Sequence, residues 1–592
     1  MAASTRPRSR RRKPLPQGPR STPEKIQEFR LPSPRLRLVS VWLVLLLGML
    51  GLAGRLAYLQ LVIADDLKVM AKEQQATQPT PRTARRQIID RQGNVVALDQ
   101  VVYTLYVHPI FFQKSIPVIA EALSTVLDHE PQALEKLFAE QESGIKLDEE
   151  ISEETAKRLQ ALGLDGLDLR PSPQRKYPQG EVFSQVTGYV DLAGVPQEGI
   201  ELSLERQLEY DDVKSGEAAL LQQVTRDDLQ MQLTIDNRLQ RIAQENLAAT
   251  VAEYNAKRGA LIVMDSHTGE ILALAVAPTY NPNQYYDANI AYFKNWAVSD
   301  LYEPGSTFKP INVAIALDNG NIGPNDTIYD EGQIFVGPWP IQNVDFSTSG
   351  GRGTLSLTDV LRYSSNVGMV HVMESVDRAI YYDWLGKLGL GNATGIELPG
   401  EASGQIKSRE QFVGSAVEAA TTAFGQGFSL TPIQLVQLHG TLANEGKMVT
   451  PHVVRGLTNA EDELTWTPER PEPRQVFSAE TARQVLNMMK EVVEDGTGSA
   501  AKINGYQIAG KTGTAQKATE YGAYGNQRIT SFVSIAPVSD PRYVVLAVVD
   551  EPQGANAYGG TVAAPLVKKM LESLVVLEGV VPDGTGPSKP SP

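Results

Sequence analysis

Residues 259–276 read GALIVMDSHTGEILALAV. Gly259–Asp265 and Glu270–Val276 are apolar runs of strand length, and Ser266–Gly269 (SHTG) between them makes the pair a hairpin. A second pair lies far downstream, where Ile529–Ala536 and Tyr543–Val549 flank a turn through Asp540-Pro541. The residues between the two pairs are mostly helical in pattern, as in Ser356–Ser364 and Ala479–Glu494. One sheet is therefore assembled from both ends of a domain spanning 230–577, with a helical subdomain inserted between them. That is a mixed α/β fold of the α+β kind. No internal repeat is evident.

A chain of 592 residues exceeds a single core, so two or three domains with tails are expected. Its net charge of −14 is unevenly spread. Residues 1–37 hold eleven Lys/Arg against Glu24 and Glu28, which splits the total into +9 there and −23 for the rest. An acidic body lacks the footprint of a nucleic-acid binder. Cysteine is absent, so thiol nucleophiles, Cys-ligated zinc and disulfides are excluded. None of the six histidines sits at metal-ligand spacing, and neither metal nor cofactor is expected.

Leu38–Gly54 (LVSVWLVLLLGMLGLAG) is free of charge and, extended to Val62 with Arg55 snorkelling, long enough to span a bilayer. The rival reading is a cleaved signal peptide, for which the 37-residue head is too long. The basic head places the N-terminus in the cytoplasm and the remainder outside the inner membrane. The expected order is a disordered basic tail (1–37), an anchor (38–62) and a linker (63–82) containing QATQPTPR. A mixed segment (83–225) comes after it, with strands at Gln87–Ile89 and Val101–Val107 and an acidic helical middle over 116–162. It carries no catalytic spacing and reads as a spacer or docking domain. The 230–577 domain comes next, then a tail (578–592).

Tyr302–Pro310 reads YEPGSTFKP. Pro304-Gly305 is a turn and Pro310 is tolerated only near a helix start, so a helix begins close to Ser306. Ser306 and Lys309 then share one face, with the serine at the positive end of the helix dipole. Lysine is a poor base at its ordinary pKa near 10.4, and bringing it to about 7 takes roughly 4 kcal/mol. Burial and a second cation would supply that, and Lys511 is the candidate. A lone Ser-x-x-Lys is cheap, and Ser499–Lys502 is a second match. Ser306 is distinguished by two further motifs downstream of it, in a fixed order. Ser364-Ser365-Asn366 closes a helix whose start has Ser356 and Asp359 at capping-box spacing. Lys511-Thr512-Gly513-Thr514 lies in a strand-like run, where Gly513 leaves room for a substrate backbone and Lys511 and Thr512 can meet a carboxylate. Lys214-Ser215-Gly216, a near-match, lies upstream and outside the domain.

Ser-x-x-Lys, Ser-x-Asn and Lys-Thr-Gly in this order resemble the penicillin-binding proteins and serine β-lactamases. The resemblance reaches further, to class B penicillin-binding proteins, over about residues 83–577. RQIIDRQG (86–93), KYPQGEVFSQVTGYV (176–190) and GIELSLERQL (199–208) look like their non-catalytic pedestal. FGQGFSLTPIQ (424–434) and GTGSAA (496–501) resemble stretches of the transpeptidase domain.

That resemblance implies a single membrane helix, an elongated α+β pedestal and a β-lactamase/transpeptidase-like domain. It implies a D,D-transpeptidase that cross-links peptidoglycan stem peptides and is acylated by β-lactams. Ser306 would be the nucleophile, Lys309 the base, Ser364 a proton relay and Asn366 an orienting group. Lys511, Thr512 and Thr514 would hold the substrate carboxylate, and the N–H groups of Ser306 and Thr514 would form the oxyanion hole. The Glu-x-x-Leu-Asn context of class A β-lactamases does not occur. Ser364–Gly368 (SSNVG) and Glu303–Ser306 (EPGS) resemble the division (FtsI) branch, which implies a septal polymerase of the SEDS family (FtsW type) and other divisome membrane proteins as partners. The alternatives are an elongation-type class B protein and an idle β-lactam sensor or divisome scaffold.

Overall fold

The computed structural model of the chain describes residues 34–62, 85–209, 228–518 and 524–583. The tail as far as residue 33, the linker, Lys214–Gly216 and residues 584–592 lie outside the described residues.

Up to Thr80, the described residues form a helix, Pro34–Ala57, that widens into a π turn at Tyr58–Val62. It begins inside the segment expected to be tail, because proline is accommodated in a first helical turn. Trp42–Leu61 is long and apolar enough to cross a membrane, the one such stretch among the described residues.

Residues from Pro81 onward form a second compact unit. Its centre is an antiparallel sheet in the order Ala509–Ala518, Tyr524–Ala536, Tyr543–Asp550, Arg258–Asp265, Ile271–Ala277. The two hairpins read from the sequence join side by side, with Val545 opposite Val263 and Leu546 opposite Ile262. Leu261, Val263, Val545 and Ala547 share a core with the helices Asn237–Glu253 and Ala563–Leu577. Ile262, Met264, Val544 and Leu546 face the inserted helical subdomain on the other side. With both faces covered, the paired positions of these strands are buried, which explains the unbroken apolar runs. Ala509–Ala518 is the free edge.

The stretch 116–162 is not helical throughout. Helices Ile116–Ser124, Pro131–Glu140 and Glu153–Ala161 are interrupted by a strand, Ile145–Ile151. Its sequence, IKLDEEI, buries only its two isoleucines fully, so the acidic middle hid the strand from a composition reading. It pairs with Val95–Val107, which is longer than expected because polar Asp99 and Gln100 continue it.

The pedestal is no detached spacer. Its strand Ile88–Ile89 pairs in parallel with Gln230–Leu233, and Val454–Thr458 extends the same sheet from within the 230–577 half. RQIIDRQG ties the halves further: Arg91 N–H donates to Ile235 O at 2.9 Å, and Gln92 Nε2 donates to Asp236, the N-cap of the Asn237–Glu253 helix. Glu201, fully buried, receives Arg85 Nε at 2.9 Å and Arg175 Nε at 2.7 Å. Two guanidinium groups on one carboxylate compensate a buried charge that would otherwise be costly. The first residues expected as C-terminal tail are also fixed, since Val580 O accepts from Tyr506 Oη and Asp583 N–H donates to Gly505 O.

Candidate active site

The nucleophile candidate does not open the α-helix. Gly305–Phe308 is a 3₁₀ turn, and the α-helix runs Lys309–Asp318 with Pro310 in its first turn. Gly305 has φ +56°, a conformation that suits glycine, and its N–H donates to Gly425 O at 2.9 Å. A Cβ on Gly425 would fall 2.0 Å from Gly305 O, so the FGQG stretch is the abutment of the nucleophile turn. Glu303 adds a second tie by accepting the Gly427 N–H at 2.9 Å.

Lys309 and Lys511 are both fully buried. Lys309 Nζ donates to Ser364 O at 2.6 Å and to Asn366 Oδ1 at 2.7 Å, and lies 3.3 Å from Ser364 Oγ. Lys511 Nζ reaches the same Ser364 Oγ at 2.9 Å. Ser364 serves both because it has φ +59°, a left-handed conformation uncommon for a non-glycine residue. The helix expected to run to Ser364 stops at Arg362, and Ser365 instead caps the next helix, Asn366–Glu374, through the Gly368 N–H.

Burial, then the Lys511 cation, then the opposing pull of Asp330 set the Lys309 ammonium well below the usual lysine range. Burial pushes Lys511 down to about 7. Two ammonium groups on one hydroxyl repel, so the pair favours a single proton. A neutral Lys309 spends its two N–H bonds on Ser364 O and Asn366 Oδ1 and keeps a lone pair, while a charged Lys511 donates to Ser364 Oγ.

Thr512 Oγ1 donates to Thr497 Oγ1 at 3.0 Å, and Thr514 Oγ1 accepts the Gly559 N–H at 3.0 Å. Gly513, expected from the sequence to leave room for a substrate backbone, leaves room for protein atoms as well. A Cβ there would run into Ser531 Oγ of the neighbouring strand and lie 2.9 Å from Thr307 Cγ2 and 3.2 Å from Pro304 O, so the missing side chain makes room for both the Ser531 side chain and the turn that holds Ser306. Lys309, Ser364, Asn366 and Lys511 therefore meet around the Ser364 hydroxyl, and Ser306 lies in the turn that packs on the edge strand at Gly513–Ala515, next to Thr512. The rival Ser499–Lys502 does not join them. Lys502 is exposed and paired with Glu494 on the surface.

Several residues that build the site went unread. Asn343 Oδ1 accepts the N–H groups of Asn366 and Val367 at 2.8 and 3.2 Å, and its Nδ2 donates to both oxygens of Asp330. Asn312, one turn beyond Lys309, donates to Thr422 O and Ala423 O and accepts from Tyr381. Neither set has a spacing signature. The buried lysine did leave a trace: Lys309 is the one charge in FKPINVAIAL (308–317), a helix with no exposed face.

Residues 259–572 match the family described as penicillin binding protein transpeptidase domain, and 81–217 match the penicillin-binding protein dimerisation domain. A peptidoglycan D,D-transpeptidase FtsI homolog of Mesostigma viride is 39% identical over 576 residues, covering 92% of this chain and 96% of the relative. The peptidoglycan D,D-transpeptidase FtsI of Escherichia coli is 30% identical over 558 residues, covering 91% of each. The crystal structure of penicillin-binding protein 3 of Mycobacterium tuberculosis complexed with aztreonam superposes with a TM-score of 0.66 at 27% identity, covering 86% of this chain and 98% of that one.

Proposed function

The chain belongs to the class B penicillin-binding proteins of the FtsI type, peptidoglycan D,D-transpeptidases, and we propose that Ser306 carries the acyl group in that reaction. The Ser306 hydroxyl attacks the carbonyl between the two terminal D-alanines of a stem peptide. Lys309, neutral, takes its proton. The tetrahedral oxyanion rests on the N–H groups of Ser306 and Thr514, where each donor is worth about 10²–10³ in rate. The terminal D-alanine leaves with a proton relayed through Ser364, and Asn366 orients the acyl portion. An amine of a neighbouring stem then attacks the Ser306 ester, forming the cross-link and freeing the serine. Lys511, Thr512 and Thr514 hold the terminal carboxylate, and β-lactams acylate Ser306 by the same route.

The observation that carries this reading is the Ser364 hydroxyl shared by two buried lysines, at 3.3 Å from Lys309 and 2.9 Å from Lys511. A structural ion pair would place a carboxylate there. Two cations on one hydroxyl oppose each other, and what they gain is a neutral amine.

The cellular setting rests on the order of segments along the chain: a cytoplasmic basic tail (1–37), a single-pass anchor (38–62), a linker (63–82), a pedestal (83–225) and an extracytoplasmic catalytic domain (230–577) with a tail (578–592). The site then works in septal wall synthesis beside a SEDS-family polymerase (FtsW type) and other divisome membrane proteins.

The test is labelling of the detergent-solubilised chain with a fluorescent penicillin, together with acyl transfer from a D-alanyl thioester donor to a D-amino acid. Both activities are expected in the wild type and in Ser499→Ala, and neither in Ser306→Ala. Label that survives Ser306→Ala overturns the assignment.

A further inference from the structure

Asp330 is fully buried and forms no ion pair among the described residues. A buried carboxylate left without a cation is costly. Its charge also favours the protonated form of Lys309, against the use of that lysine as a base. The reaction as described above gives Asp330 no task.

Its hydrogen bonds show what a carboxylate does there that a neutral side chain would not. Asp330 Oδ1 accepts the Gly332 N–H at 2.7 Å, and both of its oxygens accept Asn343 Nδ2 at 2.9 Å. A carboxylate only accepts, so the Asn343 amide must turn its NH2 toward Asp330. Its oxygen then faces three donors at the start of the Asn366–Glu374 helix: Ser365 Oγ at 3.2 Å, Asn366 N–H at 2.8 Å and Val367 N–H at 3.2 Å. The Asn343 N–H donates to Gly332 O at 2.9 Å, a second tie to the Asp330 loop. Gln342, the residue before it, is held with its carbonyl on Asn366 Nδ2 at 3.1 Å.

Asn366 is thus gripped twice, at its backbone N–H by Asn343 Oδ1 and at its side-chain NH2 by Gln342 O. With the NH2 so placed, its Oδ1 faces Lys309 Nζ at 2.7 Å. The reversed amide would set two carbonyl oxygens against each other at Gln342 and an NH2 against Lys309. The acceptor left for that NH2 would be the amine lone pair, the same pair that takes the Ser306 proton.

Resting on the reading of Lys309 as the base, we infer that Asp330 is a positioning residue for acylation. Through Asn343 and Gln342 it holds Asn366 with its amide oxygen on Lys309, which leaves the amine lone pair free for the nucleophile.

The experiment follows acylation of the full-length chain by a chromogenic cephalosporin in stopped flow, which separates the limiting acylation rate constant from the half-saturating concentration. Neither depends on how much of the chain is folded. Asp330→Asn releases the Asn343 amide from its single orientation, and Asn343→Asp sets two carboxylates against each other. Each is expected to lower the acylation constant about tenfold or more, with the half-saturating concentration changed less than about threefold. The double variant D330N/N343D exchanges the two groups. Its carboxylate, now at position 343, accepts the three donors of the Asn366 helix and the amide at position 330, whose oxygen keeps the Gly332 N–H. It should return the acylation constant to within about threefold of the wild type, a recovery that a packing role alone does not give. A wild-type acylation constant in Asp330→Asn, or a double variant no faster than that single one, overturns the inference. So does a loss confined to the half-saturating concentration. Should Asn343→Asp fail to fold, these comparisons stand without it. A wild type that is not acylated at Ser306 overturns the reading of Ser306 instead.

Discussion

Replacing Lys511 with methionine keeps nearly the same volume and removes the cation that faces Lys309. Both lysine nitrogens reach Ser364 Oγ, at 3.3 and 2.9 Å, so they lie no more than about 6 Å apart. At an effective dielectric constant near 20, two unit charges at that distance repel by about 3 kcal/mol, or about two pK units. Lys511→Met therefore raises the Lys309 pKa by about two units, while burial still holds it below the ordinary lysine value. The assay is the second-order rate of Ser306 acylation by a fluorescent penicillin from pH 5 to 10, whose acid limb reports the base in the free enzyme. That limb is expected to move up by about one to two units. The plateau falls as well, because Lys511 donates to Ser364, so the position of the limb and not its height is the readout. Lys511→Arg supplies the control: the cation stays and the limb stays with it. An acid limb that does not move in Lys511→Met, or moves down, refutes the claim that repulsion between the lysines prepares the base.

The same burial makes wild-type stability rise with pH. Lys511 titrates at about 7 in the folded chain against an ordinary 10.5. Between those values the unfolded chain binds a proton that the folded chain does not, so stability increases from pH 7 to 10.5 by up to about 4 kcal/mol, a gain absent from Lys511→Met. Denaturant midpoints of the two proteins at about pH 7 and about pH 10 check it, and a parallel response contradicts it. Gly513→Ala drives a Cβ into the Ser531 hydroxyl, a side chain that can rotate away, and to 2.9 Å from Thr307 Cγ2. It should cut acylation at least about tenfold through a shifted nucleophile turn while destabilising by only about 1–3 kcal/mol, and normal acylation would show the turn to be free of the strand. Asn343→Leu leaves the Asn366 and Val367 N–H groups unpaired and the buried Asp330 carboxylate with the Gly332 N–H but without its two bonds from Asn343, and should destabilise by about 2–4 kcal/mol. Adding Asp330→Leu should restore part of that in a denaturant titration, and additive losses would deny the coupling.

The sheet was legible because each strand, covered on both faces, announces itself as an apolar run, and the hairpin turns lie between short polar sequences. The acidic strand Ile145–Ile151 was not legible, because only Ile145 and Ile151 are fully buried and the five residues between them carry no strand signal. Nor could the sequence tell that Ile88–Ile89 would find Gln230–Leu233 across the expected domain boundary, since a two-residue strand has no pattern of its own. At the site, each residue read from a motif also sits on a locally readable element: Ser306 before a proline-led helix, Lys511 in a glycine-flanked strand. The bracing residues carry no such mark. Asn343, Asp330 and Asn312 are polar groups made intelligible only by the partners that burial gives them, and those partners are 13 to more than 100 positions away.

What the structure adds is where the chain departs from ordinary local rules. Lys309 lies on a helix buried on every side, Lys511 on an edge strand packed against the Gly305–Phe308 turn and the Ala479–Asp495 helix, and Ser364 in a left-handed conformation that a serine seldom adopts. Each of these is unfavourable taken alone, and all three meet at one hydroxyl. A fold under selection for stability only would have relieved them, most simply by a methionine at either lysine or a glycine at Ser364. Their coincidence, with Asn366 and Asn343 holding the geometry fixed, means the strain is concentrated in one place and on one product, an amine without its proton one helical turn from Ser306.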